Sequence, residues 1–278
     1  MILVDLTQTM IAGVMVQVKM NRLKGEEISE DLLRHMVLNT IRSYAKRFKN
    51  EYGDIVLCAD DRKYWRRDYF PNYKANRKKH REESDIDWDT VFGMLNKIRD
   101  EISKNLPYRF LRVEGAEADD IIGVLTKDSK EKVLIVSGDK DFQQLQKYDY
   151  VKQYSPNLSK FVTPDNAEEF LAEHILRGDK GDGIPNILSG DDVIVDGDRQ
   201  KPMRKATINK YINGVDKYDN YYRNYVRNKT LIDLDEIPEE VSLRILKAFD
   251  QSVPPSGKLL PYMMKHSLKE LLNAIGDF

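Results

Sequence analysis

The stretch VLIVSGDKDF, residues 133–142, joins an unbroken apolar run to two carboxylates one residue apart, Asp139 and Asp141. Four consecutive apolar residues closed by a Ser-Gly turn signal read as a buried strand ending in acids. Two earlier runs have the same form: ILV before Asp5 and IVLCA before Asp60. Between them, Leu32, Leu33, Met36, Val37, Thr40, Ile41 and Tyr44, then Val91, Met94, Leu95, Ile98 and Ile102, recur at helical spacing. Strands alternating with helices predict an α/β fold, a central mainly parallel sheet with helices on both faces. A further strand is predicted over 108–113, and helices over 116–127 and 165–176. Beyond Gly178 the pattern is helical apart from a short predicted strand, VIV, at 193–195, and Pro254-Pro255 precedes a final helix near 268–275. A domain change is expected near residue 180, dividing the chain into 1–180, α/β, and 181–278, smaller and helical. The chain carries no internal repeat.

Bulk composition narrows the class. With 278 residues and 41% hydrophobic content the chain can bury a large core. Charged residues make up 33% yet nearly cancel, to a net of −1, so net charge alone points to no partner. The single cysteine, Cys58, rules out a disulfide framework or a cysteine zinc site and suits a reducing cytoplasm. The uncharged run 6–18 is shorter than the ~20 residues a bilayer span needs, and no basic segment precedes it. Neither signal peptide nor membrane anchor is expected, and a monomer is.

Parallel strands linked by right-handed crossovers bring their C-terminal ends to one edge, where open α/β folds build their sites. Asp5, Asp60 and Asp139 are therefore expected along one edge. Glu117, Asp119 and Asp120 open the next helix, and Asp141 adds a seventh acid. Two unit charges 4 Å apart cost about 4 kcal/mol at an effective dielectric of 20, so such a cluster requires raised pKa values, paired cations or hard metal ions. Two divalent ions are the common apparatus of phosphodiester hydrolysis. Any single Asp after a strand is more often a cap or turn residue; the joint pattern is what argues for a site. Asp61 is expected to cap, and Asp191, Asp192, Asp196 and Asp198 to form a solvated loop. DKDFQQLQ lacks the third ligand and central glycine of an EF-hand, and no Walker A motif is present.

Residues 62–81, RKYWRRDYFPNYKANRKKHR, hold nine Lys or Arg, one acid and five aromatics. A charge run is commonly a solvated helix face, but cations for phosphates interleaved with aromatics for bases suit a single-strand channel. Pro71 argues against one unbroken helix there. Setting aside nine candidate acids (the seven above with Asp179 and Asp182) leaves a net charge of +8.

Taken together, LVDLTQ, VLCADD, VEGAEADDIIG, VSGDKDFQQL and RGDKGDGIPN resemble, in order, the motifs of the 5′-nuclease, or flap endonuclease, family. The longer run VLCADDRKYWRRDYFPNYKANRKKHREES and the closing VPPSGK are similar to the T-even phage branch of that family. The resemblance implies a metal-dependent 5′-to-3′ nuclease that removes RNA primers, adjoining DNA or 5′ flaps during lagging-strand replication. It implies two Mg²⁺, with Mn²⁺ able to substitute. Asp5, Asp60, Glu117, Asp119 and Asp139 would surround the first ion, Asp141, Asp179 and Asp182 the second, with Asp120 between. Lys74 and Arg77 would contact the scissile phosphate. Arg66 and Arg67 would steer the 5′ strand, with Tyr73, Lys78 and Lys79 along the same arch at about 62–83. The second domain would be of the helix-hairpin-helix type and grip duplex phosphates.

One departure from the family is the stretch LSGDDVIVDGDRQKPM, 188–203, which intervenes before RKATINKYI; there Lys201, Arg204 and Lys205 would supply duplex contacts. Only four residues precede Asp5, so sliding-clamp docking is not expected from that end. The hairpin and C-terminal surfaces are left as candidates for single-strand-binding protein. Two rival readings are a non-catalytic binder of forked DNA with the same fold and a PIN-type ribonuclease, which shares the acidic site but generally lacks the long arch.

Overall fold

A computed structural model of the protein describes residues 1–22 and 27–278. Among these residues six strands, β1 (Ile2–Asp5), β2 (Ile55–Cys58), β3 (Arg109–Leu111), β4 (Val133–Val136), β5 (Val151–Ser155) and β6 (Lys160–Val162), form one sheet in the order β3-β2-β1-β4-β5-β6. Every neighbouring pair is parallel except β5 with β6. The three acid-terminated apolar runs are therefore the central strands, with β1 flanked by β2 and β4.

Alternation along these strands explains why they are apolar throughout. Ile2, Val4, Ile55, Leu57, Leu134 and Val136 enter one core, while Leu3, Val56, Cys58, Val133 and Ile135 enter the other. A sheet buried on both faces has no use for polar alternation. On the first face lie α1 (Leu6–Arg22), α2 (Glu30–Tyr52) and α5 (Trp88–Asn105), through Leu6, Met10, Leu33, Val37, Ile41, Val91, Leu95 and Ile98. Helix α2 starts where Ser29 accepts the Leu32 amide and stops at Gly53, whose φ of +81° turns the chain toward β2. The second face takes α6 (Ala118–Asp128) through Ile121, Ile122 and Leu125.

Between β2 and α5 the basic segment forms two short helices, α3 (Trp65–Tyr69) and α4 (Asn76–Glu82), broken around Pro71. Helix α7 (Ala167–Arg177) is capped by Asn166, which accepts the Glu168 and Glu169 amides. After α7 come α8 (Lys205–Tyr211) and α9 (Tyr222–Ile232). Helices α7 and α9 pack with the basic segment through Phe70, Tyr73, Ile175, Ile184, Leu231 and Ile232, while α8 packs through Ile208 and Tyr211 against Leu176 and Ile187. The closing helices α10 (Glu239–Gln251), α11 (Leu259–Lys265) and α12 (Lys269–Asn273) return to the sheet. Val241 and Ile245 join one core, and Tyr262, Met263 and Leu271 the other.

The predicted strand at 193–195 is not formed. Residues 191–197 are a run of turns in which the Asp196 amide donates to the Asp192 carbonyl and Gly197 to Ile194. Three β-branched residues with no neighbouring strand have no ladder to join, and local bonding prevails.

Candidate active site

The sheet order delivers Asp5, Asp60 and Asp139 to one edge, each at or just beyond the C-terminal end of a central parallel strand. Asp5 accepts the Gln8 amide at 2.9 Å and the Ser137 hydroxyl at 3.1 Å. Gln8 in turn accepts the Gly138 amide at 2.5 Å, tying the end of β1 to the loop after β4. Asp60 accepts the Ala118 amide at 2.7 Å and so links β2 to the start of α6. Asp139 accepts the Asp141 amide at 3.0 Å, which sets the turn that puts Asp141 beside it.

The carboxyls carry the electrostatic mark of this convergence. Burial, with Asp60 and Asp139 alongside, pushes Asp5 up to about 7. Asp119 is driven well above the usual range by burial and by Asp139. Glu117 goes the other way: burial raises it, but Lys74 and Arg66 outweigh burial and hold it below the ordinary value. Its Oε1 accepts the Lys74 ammonium at 2.6 Å, and its Oε2 accepts Arg66 Nη1 and the Tyr73 hydroxyl, each at 3.0 Å.

The basic segment and the 177–186 turn meet over this edge. Lys74 has φ +57°, and its amide donates to the Asp182 carbonyl at 2.7 Å. Its ammonium lies 3.6 Å from the Asp182 carboxylate, and Arg77 Nη2 reaches the same carboxylate at 2.5 Å. Gly183, at φ +73°, makes the approach feasible, since a Cβ there would stand 2.7 Å from the Asn72 carbonyl oxygen. Gly178 is tighter still, with two carbonyl oxygens within 2.5 Å of any Cβ. Asp179 accepts the Lys140 ammonium at 2.8 Å, and its Oδ2 lies 3.3 Å from His174 Nε2. These two groups hold its carboxyl below the usual range against the opposing effect of burial. Asp141 is pushed up to about 7 by burial and by Asp139, with His174 opposing.

The structure thus brings together Asp5, Asp60, Glu117, Asp119, Asp139, Asp141, Asp179 and Asp182 with Lys74 and Arg77 around them. It redirects three of the expected residues. Asp120 is fully buried and its oxygens are taken by the Glu117 amide, Arg66 and the Trp65 indole, so it caps α6 and faces the protein interior. Arg66, expected to steer a strand, is 2% exposed and bound to Glu117, Asp120 and the Leu231 carbonyl. Tyr73 is also buried, its hydroxyl shared between Glu117 and Asp182, and offers no face to a base. Arginine and tyrosine on a basic segment look alike in sequence whether they face water or carboxylates. Asp191, expected in a solvated loop, pairs with Arg223 and with the buried Arg227. Arg67, Lys78, Lys79, Lys201, Arg204 and Lys205 remain at the surface.

Sequence reasoning passed over His174, Lys140, Gln8 and Ser137. His174 is one of four histidines, in the last turn of a helix running into the second acidic motif. That position was the one available signal for it.

Residues 3–172 match the family model described as 5′-3′ exonuclease, N-terminal resolvase-like domain, and residues 166–278 match T4 RNase H, C terminal. The chain belongs to the 5′-3′ exonuclease family. It is 36% identical to the ribonuclease H of Enterobacteria phage T4 over 99% of this chain and 95% of that protein. It is an enzyme, a phosphodiester hydrolase of the ribonuclease H and flap-endonuclease type. The fold is also that of a phage T5 protein co-crystallised with metal ions, at TM-score 0.58 and 18% identity, covering 97% of each chain. The phage T5 flap endonuclease in a pseudo-enzyme-product complex with DNA and metal ions superposes at TM-score 0.58 and 19% identity, over 90% of this chain and 99% of that one.

Proposed function

We propose that the protein is a divalent-metal-dependent 5′-to-3′ nuclease that removes RNA primers, adjoining DNA or 5′ flaps from nucleic acid with a free 5′ end, leaving 5′-phosphate products. The observation that carries this reading is the convergence of under-compensated carboxyls at one sheet edge beneath Lys74 and Arg77. Acids lifted toward neutrality by burial and by one another suit cations as the missing counter-charge. Their oxygens fit hard divalent ions, and Mg²⁺ in a pair, with Mn²⁺ as substitute, is the reading adopted. Asp5, Asp60, Asp119 and Asp139 would hold the first ion, and Asp141 the second, with Asp179 and Asp182 in support. Bound ions of this kind polarise phosphoryl oxygens and lower the pKa of water.

The chain's own residues then have separable tasks. Glu117 fixes Lys74 at the mouth of the cluster, and Asp182 holds Lys74 and Arg77 together, so both cations are preset toward a phosphate entering between arch and acids. Exposed Arg67, Lys78 and Lys79 would guide the 5′ strand, and Lys201, Arg204 and Lys205 the duplex. The division near residue 180 is one of labour, with the later segment serving the duplex while its last helices brace the sheet.

The test is a product-length assay with a 5′-labelled flap and a 5′-labelled RNA:DNA hybrid in Mg²⁺. Short 5′-phosphorylated products, lost in Asp139→Asn while flap binding persists, are expected. Binding without cleavage on both substrates would overturn the reading in favour of a non-catalytic fork binder.

A further inference from the structure

His174 is 6% exposed, and its Nδ1 has no hydrogen-bond partner among the described residues. Opposite it stands Asp141 Oδ1, also buried and also without one. The two atoms lie 3.5 Å apart without a hydrogen bond between them. Leaving a buried polar atom unsatisfied is costly, and two facing each other call for a shared partner. The surroundings hold the ring in place: Phe170 packs against it, and Nε2 is directed at Asp179 Oδ2, 3.3 Å away. Asp179 is itself pinned by Lys140 and by the Asp182 amide.

This is the arrangement of an imidazole whose one nitrogen is oriented by a carboxylate so that the other can ligate a cation. Bonds of about 2.0–2.2 Å meeting at ordinary coordination angles place neighbouring ligand atoms roughly 3.0–3.5 Å apart, matching the Nδ1 to Oδ1 separation. Among the described residues, Asp141, His174 and Asp179 form the group whose ligand atoms converge within 4.8 Å.

We propose that His174 Nδ1 is a ligand at the second cation position, beside Asp141, with Asp179 orienting the ring. The inference rests on the two-cation reading above. It makes the position a mixed nitrogen–oxygen site, where Co²⁺ or Zn²⁺ gains more from the imidazole than Mg²⁺ does, because imidazole suits borderline cations and Mg²⁺ takes oxygen ligands.

Zn²⁺, being diamagnetic, can be titrated into the full-length protein while the four imidazoles are followed by long-range ¹H–¹⁵N correlation spectra. Displacement of the His174 Nδ1 resonance, with Nε2 remaining protonated, is expected. In parallel, His174→Gln should weaken Zn²⁺ binding at one position by at least about tenfold, the cost of losing even an outer-shell partner, and Mg²⁺ binding by less than about threefold, by calorimetry. An unmoved Nδ1 resonance in the wild-type protein overturns the proposal, even if the variant fails to fold. Equal losses for Zn²⁺ and Mg²⁺ in a folded variant also overturn it. Stoichiometry is read separately: two bound ions with Nδ1 unmoved defeat this inference alone, whereas a single bound ion defeats the two-cation reading.

Discussion

Cation binding to this protein should release protons, in a number set by the shared carboxyl edge. Asp5 and Asp141 are both pushed up to about 7, and Asp119 lies well above its ordinary value. A carboxyl titrating near 7 is about nine-tenths protonated at pH 6 and about one-tenth at pH 8. Ionising Asp5 and Asp141 on binding should therefore release roughly two protons at pH 6 and a small fraction of one at pH 8, and Asp119 adds to the count at both. Below pH 6 each such proton weakens binding by about 1.4 kcal/mol per pH unit, so affinity should fall by at least about 100-fold per unit. These values belong to the cluster as a set, and the count rather than its assignment is the prediction. Calorimetry with Mn²⁺ in two buffers of different ionisation enthalpy at pH 6 gives the count directly. The stability consequence has a definite sign: with folded pKa values raised, the metal-free protein loses stability as pH rises from about 4 through 7. The thermal shift caused by metal should accordingly grow with pH over that window. Release of fewer than about half a proton at pH 6, or a metal-induced shift independent of pH, would refute the argument that the acids converge uncompensated.

Three substitutions separate the roles assigned to the arch. Arg66→Met strands Glu117 and Asp120 in the interior and should cost about 3–5 kcal/mol, read as a fall in melting temperature; a stable variant with only weakened DNA binding would return Arg66 to the surface. Lys74→Ala should lower kcat more than it raises KM for a flap substrate, since its contact is proposed to strengthen as the phosphate reacts; a change in KM alone would make it a steering residue. Gly183→Ala forces a Cβ to within 2.7 Å of the Asn72 carbonyl at a positive φ, and should cost about 1–3 kcal/mol and slow cleavage by displacing Lys74 from Asp182. Wild-type cleavage by this variant would show that the arch base tolerates movement.

The likeness of the two Gly-Asp-Lys turns illustrates the limit of reading a chain in one dimension. In the first, Asp139 and Asp141 are placed by a strand end, and the apolar run before them announces that placement. In the second, Asp179 and Asp182 are placed by two glycines at positive φ and by contact with Lys74, Arg77 and His174 from other segments. The motif marks the acids; the glycines and the distant cations decide which way they face.

By itself the sequence determined β1 to β4, because apolar runs bounded by turn residues are local signals, and parallel crossovers leave little choice of edge for Asp5, Asp60 and Asp139; β5 and β6, whose residues carry no such run, were not legible in it. It also determined the acid-rich chemistry and the basic segment above it, both matters of composition within a few residues. Only the tertiary structure decided that Arg66, Tyr73 and Asp120 face inward, that α10, α11 and α12 return to the sheet, and that His174 presents a buried nitrogen to Asp141. Each of those depends on which distant group shares a small volume, and burial reverses the fate of a polar side chain: in water it would meet substrate, but in the interior it must first satisfy its neighbours.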